Sequence, residues 1–276
     1  MIRHPDHVPL ITTKLQCPQY QGRMVDRTAL VQRHLSTDCQ VLLVLAPAGY
    51  GKTVFLSQLA QYSGRPPAWY SLDAYDDAPV VFLKHLAATL QKHASLDEVQ
   101  LHRLLSRTKP EALCRSALGF FISALEALPA GCLLVLDNWH VISHPTIWQF
   151  LAELIPLLPK ETHLALSGRD SLDLLGRLAL EGAYLAGQVQ LVGRRDLQFA
   201  QEELESFFSL RASPVPKGEL ARIAALSAGW PITLSFLAQA GGTDLEHSAE
   251  VPPALAAYLD REILQVLPGD IQDFLI

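Results

Sequence analysis

Cysteine is scarce in this sequence: four residues in 276, at positions 17, 39, 114 and 132, with no CxxC pair and no regular spacing. That excludes a disulfide-stapled secreted scaffold and fits a reduced, cytoplasmic chain. Long apolar runs are lacking as well. None approaches the roughly 20 residues a membrane-crossing helix needs, and the opening stretch MIRHPDHVPLITTKL has no apolar signal-peptide core. Positive charge is in deficit: 22 Lys and Arg against 28 Asp and Glu give a net charge of −6, which argues against a globally basic nucleic-acid binder over this stretch. Charged residues amount to only 18% and hydrophobic ones to 49%, so a disordered tail is excluded and a sizeable core is expected.

What is present is an alternation of two patterns. Continuously apolar runs at Val41–Leu45 and at Cys132–Leu136, the latter ending in Asp137, read as strands of a parallel sheet, buried on both faces, and shorter strands are readable at Ala68–Leu72, His163–Ser167 and Val189–Leu191. Between them lie stretches of helical periodicity, at Asp26–Leu35, from Val54 on, at Pro79–His93, Leu96–Leu105, Glu111–Leu128 and Ile147–Leu158. Alternating strands and helices predict an α/β fold with a parallel sheet and helices on both faces. From Gln201 the pattern is helical only, at Glu202–Leu210, Gly218–Ser227 and Pro231–Ala240, followed by a breaker-rich linker over Gly241–Pro253. The expected organisation is a lead-in over 1–22, a sheet domain over 23–196, a helical subdomain over 197–247 and a further unit starting at 248. The last residues, LPGDIQDFLI, read as a helix in mid-course, so the chain is expected to be part of something longer.

The segment Ala46-Pro47-Ala48-Gly49-Tyr50-Gly51-Lys52-Thr53 sits between an apolar strand and a helix. That is the context of a phosphate-binding P-loop. Its backbone N–H groups can wrap a phosphate, and the helix start aims its positive dipole end at the same anion. Lys52 can reach the outer phosphates and the Thr53 hydroxyl can ligate Mg²⁺. Ala46 stands where such loops usually begin with Gly, which is tolerable if its φ stays negative. The strand ending in Asp137 has the Walker B pattern of a carboxylate that holds Mg²⁺, and a further strand and helix between the two motifs fit the ASCE branch of P-loop proteins. The following residue, usually a second acid that polarises the attacking water, is Asn138. An amide cannot act as a base, so hydrolysis is expected to be slow. Ser167-Gly168-Arg169 ends the next strand, where Arg169 is a candidate sensor of the third phosphate. His140 and His144 lie four apart, but no third ligand of suitable spacing is near, so a metal reading is set aside. Trp69, Trp139, Trp148 and Trp230 are read mainly as packing.

These motifs, in this order, resemble the STAND class of signal-transduction ATPases. Within that class the chain is similar to the MalT-like regulators that carry a C-terminal LuxR-type DNA-binding domain. Ala46–Thr53 resembles that family's (S/T)PAGYGKT. Trp69–Asp73 with Asp76, Asp77 and Phe82 is similar to its WLSLD…D…F stretch, and Asp137–His140 to its DDYH box. Asp196–Phe199 with Glu203 resembles its DLRF…E segment, and Gly229-Trp230-Pro231 its GxP motif. The lead-in Lys14-Leu15, Pro18 and Val25 to Leu30 is similar to its amino-terminal pattern.

The resemblance implies ATP/ADP and Mg²⁺ as cofactors. Ala48, Gly49, Tyr50, Gly51, Lys52, Thr53 and Val54 would hold the phosphates, Val25 and Arg27 would flank the adenine, and Gly229 and Pro231 would contact base or ribose. It also implies a closed ADP state, an ATP state that self-associates, a further winged-helix-like unit, and inducer and DNA sites in domains beyond this chain, with no membrane partner. Two rivals stand beside this reading: a STAND-type defence or scaffold ATPase with another effector, and a metabolic P-loop kinase.

Overall fold

The computed structural model describes residues 8–20, 24–37, 39–107, 110–128, 132–169, 173–211, 215–239 and 253–262. They fall into two compact units. One comprises Met1–Gln19, Thr28–Leu45 and Thr53–Gly193; the other comprises Tyr20–Arg27, Ala46–Lys52 and Arg194–Ile276.

The first unit is built on a parallel sheet of five strands: β1 (Val41–Leu45), β2 (Pro67–Ser71), β3 (Leu133–Asp137), β4 (His163–Gly168) and β5 (Val189–Val192), in the order β2-β3-β4-β1-β5. The apolar runs dictate this. Val41, Leu43 and Leu45 of β1, Ala68 and Tyr70 of β2, Leu134 and Leu136 of β3, and Leu164 and Leu166 of β4 all belong to one core cluster. The alternate residues Leu42, Val44, Trp69, Leu133, Val135 and Ala165 are buried too, so both sheet faces are covered, as a parallel sheet requires. On the first face pack α3 (Pro79–Gln91), α5 (Pro110–Glu126) and α6 (Pro145–Leu154), with Phe82, Phe121 and Phe150 meeting edge to face. The fully buried Val31, Phe55 and Leu56 of α1 (Thr28–Leu35) and α2 (Lys52–Tyr62) lie outside that cluster.

Helix ends differ from the periodicity in instructive places. The helix expected from Leu96 starts at Glu98 as α4 (Glu98–Arg107), because the Asp97 carboxylate accepts from the Gln100 N–H at 2.9 Å and caps it. The helix expected over Ile147–Leu158 begins earlier, at Pro145, where His144 Nδ1 accepts from the Thr146 N–H. It gives way to a 3₁₀ turn at Ile155–Leu157, where Pro156 has no N–H to continue the ladder. Two short helices that the periodicity misses, α7 (Asp173–Arg177) and α8 (Glu181–Leu185), precede β5. The described part of the lead-in is pinned rather than loose. Lys14 Nζ pairs with Asp73 at 2.7 Å and with the fully buried Asp76 at 2.9 Å, and the Ile11 N–H donates to His85 Nε2 at 3.1 Å. Burial, reinforced by the Asp76 charge, pushes the Tyr70 phenol well above its usual range.

The second unit contains α9 (Arg194–Leu197), α10 (Gln201–Leu210), α11 (Lys217–Ser227), α12 (Pro231–Gln239) and α13 (Pro253–Glu262). Its core gathers Val25 with Leu204, Phe207, Phe208, Leu220, Ile223 and Leu234. Val25 shows why the division is not linear along the chain: a segment from before the sheet is buried among residues from after it. The expected linker over 241–252 and the residues from 263 on, where the further unit was expected to continue, lie outside the described residues. No described helix is long and apolar enough to cross a membrane.

Candidate functional site

In a parallel sheet the loops after the strands' carboxyl ends are where ligands are held. Three of the sequence motifs lie there, after β1, β3 and β4. In the sheet unit, Asp137 closes β3 and is 1% exposed. Its Oδ2 accepts from the Thr53 hydroxyl at 2.9 Å, and its Oδ1 accepts from the Ser167 hydroxyl. Ser167 in turn accepts from the Asn138 N–H at 3.0 Å. The register carries this arrangement: β3 and β4 pair Leu136 with Leu166, so their next residues, the acid and the serine, end up level. An ionised carboxylate so buried needs compensation, and two hydroxyl donors supply part of it.

Asn138 has φ 64° and ψ 38°, in the left-handed region. Asn tolerates that region better than most residues. The position therefore has a backbone demand as well as a chemical one. Arg169 follows β4 and is partly exposed; Val54 lies in the first turn of α2, also partly exposed.

In the helical unit, the loop Ala46–Lys52 is shaped by its glycines. Gly49 and Gly51 both have φ +77°. A Cβ on Gly49 would meet Ile232 Cγ2 at 2.6 Å and the Trp230 indole nitrogen at 3.2 Å, so this position needs glycine for closeness as well as conformation. Ala46 is fully buried and is not among the positive-φ residues, so its methyl is accommodated where such loops usually have glycine. Lys52 Nζ donates to the carbonyls of Ala46 at 2.8 Å and Pro47 at 3.0 Å.

The GxP segment meets this loop directly. The Trp230 indole N–H donates to Ala48 O at 3.2 Å, its ring stacks on Tyr50 with centroids 5.9 Å apart, and Arg194 lies over Tyr50 at 5.7 Å. The local fold of the segment follows from two left-handed residues that stop α11. These are Ala228 at φ 47° and Gly229 at φ +68°, and Pro231 then opens α12 as its first residue. A Cβ on Gly229 would lie 2.8 Å from Phe199 O, and Phe199 N donates to Gly229 O at 2.9 Å.

Arg27 is 6% exposed, and its guanidinium is turned inward. It makes a two-pronged pair with Glu203, with Nε to Oε1 at 2.8 Å and an Nη to Oε2 at 2.9 Å. It also donates to the carbonyls of Leu197 and Gln198 at 3.0 Å each and stacks over Phe199. This is a clasp within the helical unit.

No family model matches the chain. It is 27% identical over 282 residues to the HTH-type transcriptional regulator MalT of Cronobacter sakazakii, an alignment covering 97% of this chain and 30% of that protein. A Walker-type ATPase of Pyrococcus abyssi has a similar fold, with a TM-score of 0.53 at 16% identity over 96% of this chain and 78% of that one. The chain is thus similar in sequence to MalT over almost all of its length and shares the α/β fold of that Walker-type ATPase. It spans under a third of the length of the curated relative it matches. The origin-recognition protein ORC1 of Aeropyrum pernix, solved with DNA, aligns more loosely, with a TM-score of 0.45 at 16% identity over 96% of this chain and 71% of that one.

Sequence reasoning missed two partners in this chain. Ser167 was legible only as part of a strand-end tripeptide, although a serine level with a strand-end acid is its natural hydroxyl donor. Glu203 was visible as part of a motif but without a role. Its place three residues after Ala200, whose N–H donates to Glu203 Oε2 at 2.8 Å, marks a helix start.

Proposed function

We propose that this module binds ATP and ADP and acts as the nucleotide switch of a larger, cytoplasmic signal-transduction ATPase. The observation that carries the reading is the hydrogen bond between the Thr53 hydroxyl and the buried Asp137 carboxylate. A P-loop threonine and a strand-end acid joined in this way are the oxygen donor pair that a phosphate-bound Mg²⁺ calls for. Thr53 and Asp137 fit that ion by donor chemistry: hard oxygens only, one of them an anion whose burial a cation would compensate. When bound, Mg²⁺ would neutralise charge on the outer phosphates. Ser167 holds the carboxylate so that Oδ2 faces Thr53.

The backbone N–H groups of Ala48 to Val54 take the phosphates, with Lys52 leaving its loop carbonyls for them. Val25, Gly229 and Pro231 serve the base and ribose side, and Arg27 shapes that side through Glu203. Arg169 reads the third phosphate. Asn138 leaves the attacking water without a base, so turnover is slow and the nucleotide acts as a signal more than as fuel.

In the full-length protein ADP favours a closed form, and ATP with an inducer favours one that self-associates and binds DNA through domains outside this chain. Each nucleotide can bias that equilibrium only by its differential affinity for the two forms. The test is turnover. Asn138→Asp, which keeps a residue tolerant of the left-handed backbone, should raise ATP hydrolysis severalfold; unchanged turnover would remove the explanation for a slow switch.

A further inference from the structure

The sheet unit contains a cavity of about 170 Å³ whose lining includes Ser167 and Arg169 at one end and extends to Trp148, Leu174 and Arg177, which have no role above. Its floor is apolar and buried: Leu45, Trp139, Ile142, Leu166 and Leu174 are all at most 6% exposed. Its rim is charged. Among the described residues it carries Arg169, Arg177, Asp173 and His140. The Arg177 guanidinium is laid flat on the Trp148 ring at 3.6 Å, which fixes it at the cavity edge. Trp148 meets Trp139 edge to face at 5.2 Å, so two indoles form one wall. The Trp139 indole N–H is buried without a hydrogen-bond partner among the described residues. Such orphaned donors are uncommon in a settled interior, and here the orphan belongs to a residue lining a cavity.

We propose that this cavity binds a small molecule with one ring-sized apolar body and one carboxylate. The volume sets the size: an apolar cavity of about 150 Å³ accommodates a benzene-sized guest. The floor selects an apolar body, and the Arg177 guanidinium at the rim selects an anion. Arg177 is the principal carboxylate contact, pre-positioned by its stack on Trp148. A neutral molecule of the same shape would fill the floor but leave the guanidinium without its partner. The proposal does not rest on nucleotide binding, because Arg177, Trp148 and Leu174, which carry it, have no part in the nucleotide reading.

Calorimetric titration of the purified chain with phenylacetate, and with 2-phenylethanol as the uncharged analogue, tests it. Saturable one-to-one binding of phenylacetate is expected, with the alcohol weaker by about tenfold, the scale of one charge-assisted hydrogen bond. Arg177→Gln should lose the preference for the acid, and Leu174→Trp, which fills the floor, should remove binding of both. Fluorescent-ADP binding and thermal melting of the same samples report folding, and Leu174→Met serves as a gentler filler if the tryptophan variant fails to fold. Absence of saturable phenylacetate binding by the folded wild-type chain would overturn the proposal. So would binding that is indifferent to Arg177→Gln.

Discussion

Two buried charges, one in each unit, are held in opposite ways. In the sheet unit, Asp137 is held by two hydroxyl groups, from Thr53 and Ser167, so its negative charge is oriented but not neutralised by them. In the helical unit, Arg27 is matched by Glu203, two carbonyls and the Phe199 ring. The first arrangement leaves a charge with work to do, and the second closes one off. Buried ionic groups with every partner supplied by the protein hold structure together. Among the described residues Asp137 is held by neutral donors, which is the setting the proposed Mg²⁺ would complete.

The comparison breaks most visibly at Arg27. Arg27→Ala should cost about 4 kcal/mol, because Glu203 and two carbonyls lose their partner in a largely buried place. Urea unfolding followed by a probe in the helical unit measures it, and a cost below about 1 kcal/mol would show that the clasp is ornamental. Ser167→Ala acts on the other side of the comparison. It should cost only about 2 kcal/mol in stability but weaken the Mg²⁺ dependence of ATP binding, since Asp137 loses the donor that orients it. Stability lost without any change in Mg²⁺ dependence would make Ser167 purely structural. Trp230→Phe keeps the ring over Tyr50 and removes the indole N–H that reaches Ala48. About 1 kcal/mol is expected in stability, with faster release of bound nucleotide as the more sensitive readout.

The smallest effect concerns the thiols, all four of which lie in the sheet unit. Burial, with the Glu153 charge adding to it, pushes Cys114 up to about 12, and burial pushes Cys132 up to about 11. At pH 8 these two should react with a thiol reagent only as the sheet unit unfolds, while the half-buried Cys17 and Cys39 react first. The sign follows from the raised values. Above about pH 9 the unfolded chain gives up thiol protons that the folded chain keeps, so the contribution of these thiols to stability is full below that pH and declines as pH climbs towards 11 and 12. Under Arg27→Ala, Cys114 and Cys132 should keep their protection at urea concentrations that already disturb the helical unit.

The sheet and its phosphate loop were legible because their signals are local. An apolar run of five residues, a glycine loop and a strand-end acid each state their role within a few positions. The strand ends at Asp137 and Ser167 lie level because two such runs pair in register. What was not legible depends on distance along the chain. Nothing near Arg27 announces Glu203, 176 residues away, and nothing near Ala48 announces the Trp230 indole, 182 residues away. Asn138 was read chemically, as an amide in place of an acid. Its left-handed backbone is a second reason for that residue, and no periodicity reveals a φ angle.

The central claim is that the chain binds nucleotide together with Mg²⁺ and needs Lys52 to do so. Calorimetric titration of the purified chain with ATP and with ADP, each with and without Mg²⁺, tests it most directly when run beside Lys52→Ala. One-to-one binding of both nucleotides is predicted, tighter for ATP when Mg²⁺ is present and lost by about a hundredfold or more in Lys52→Ala while the melting temperature holds. A folded wild-type chain that binds neither nucleotide, or that binds them equally well without Lys52, would contradict it.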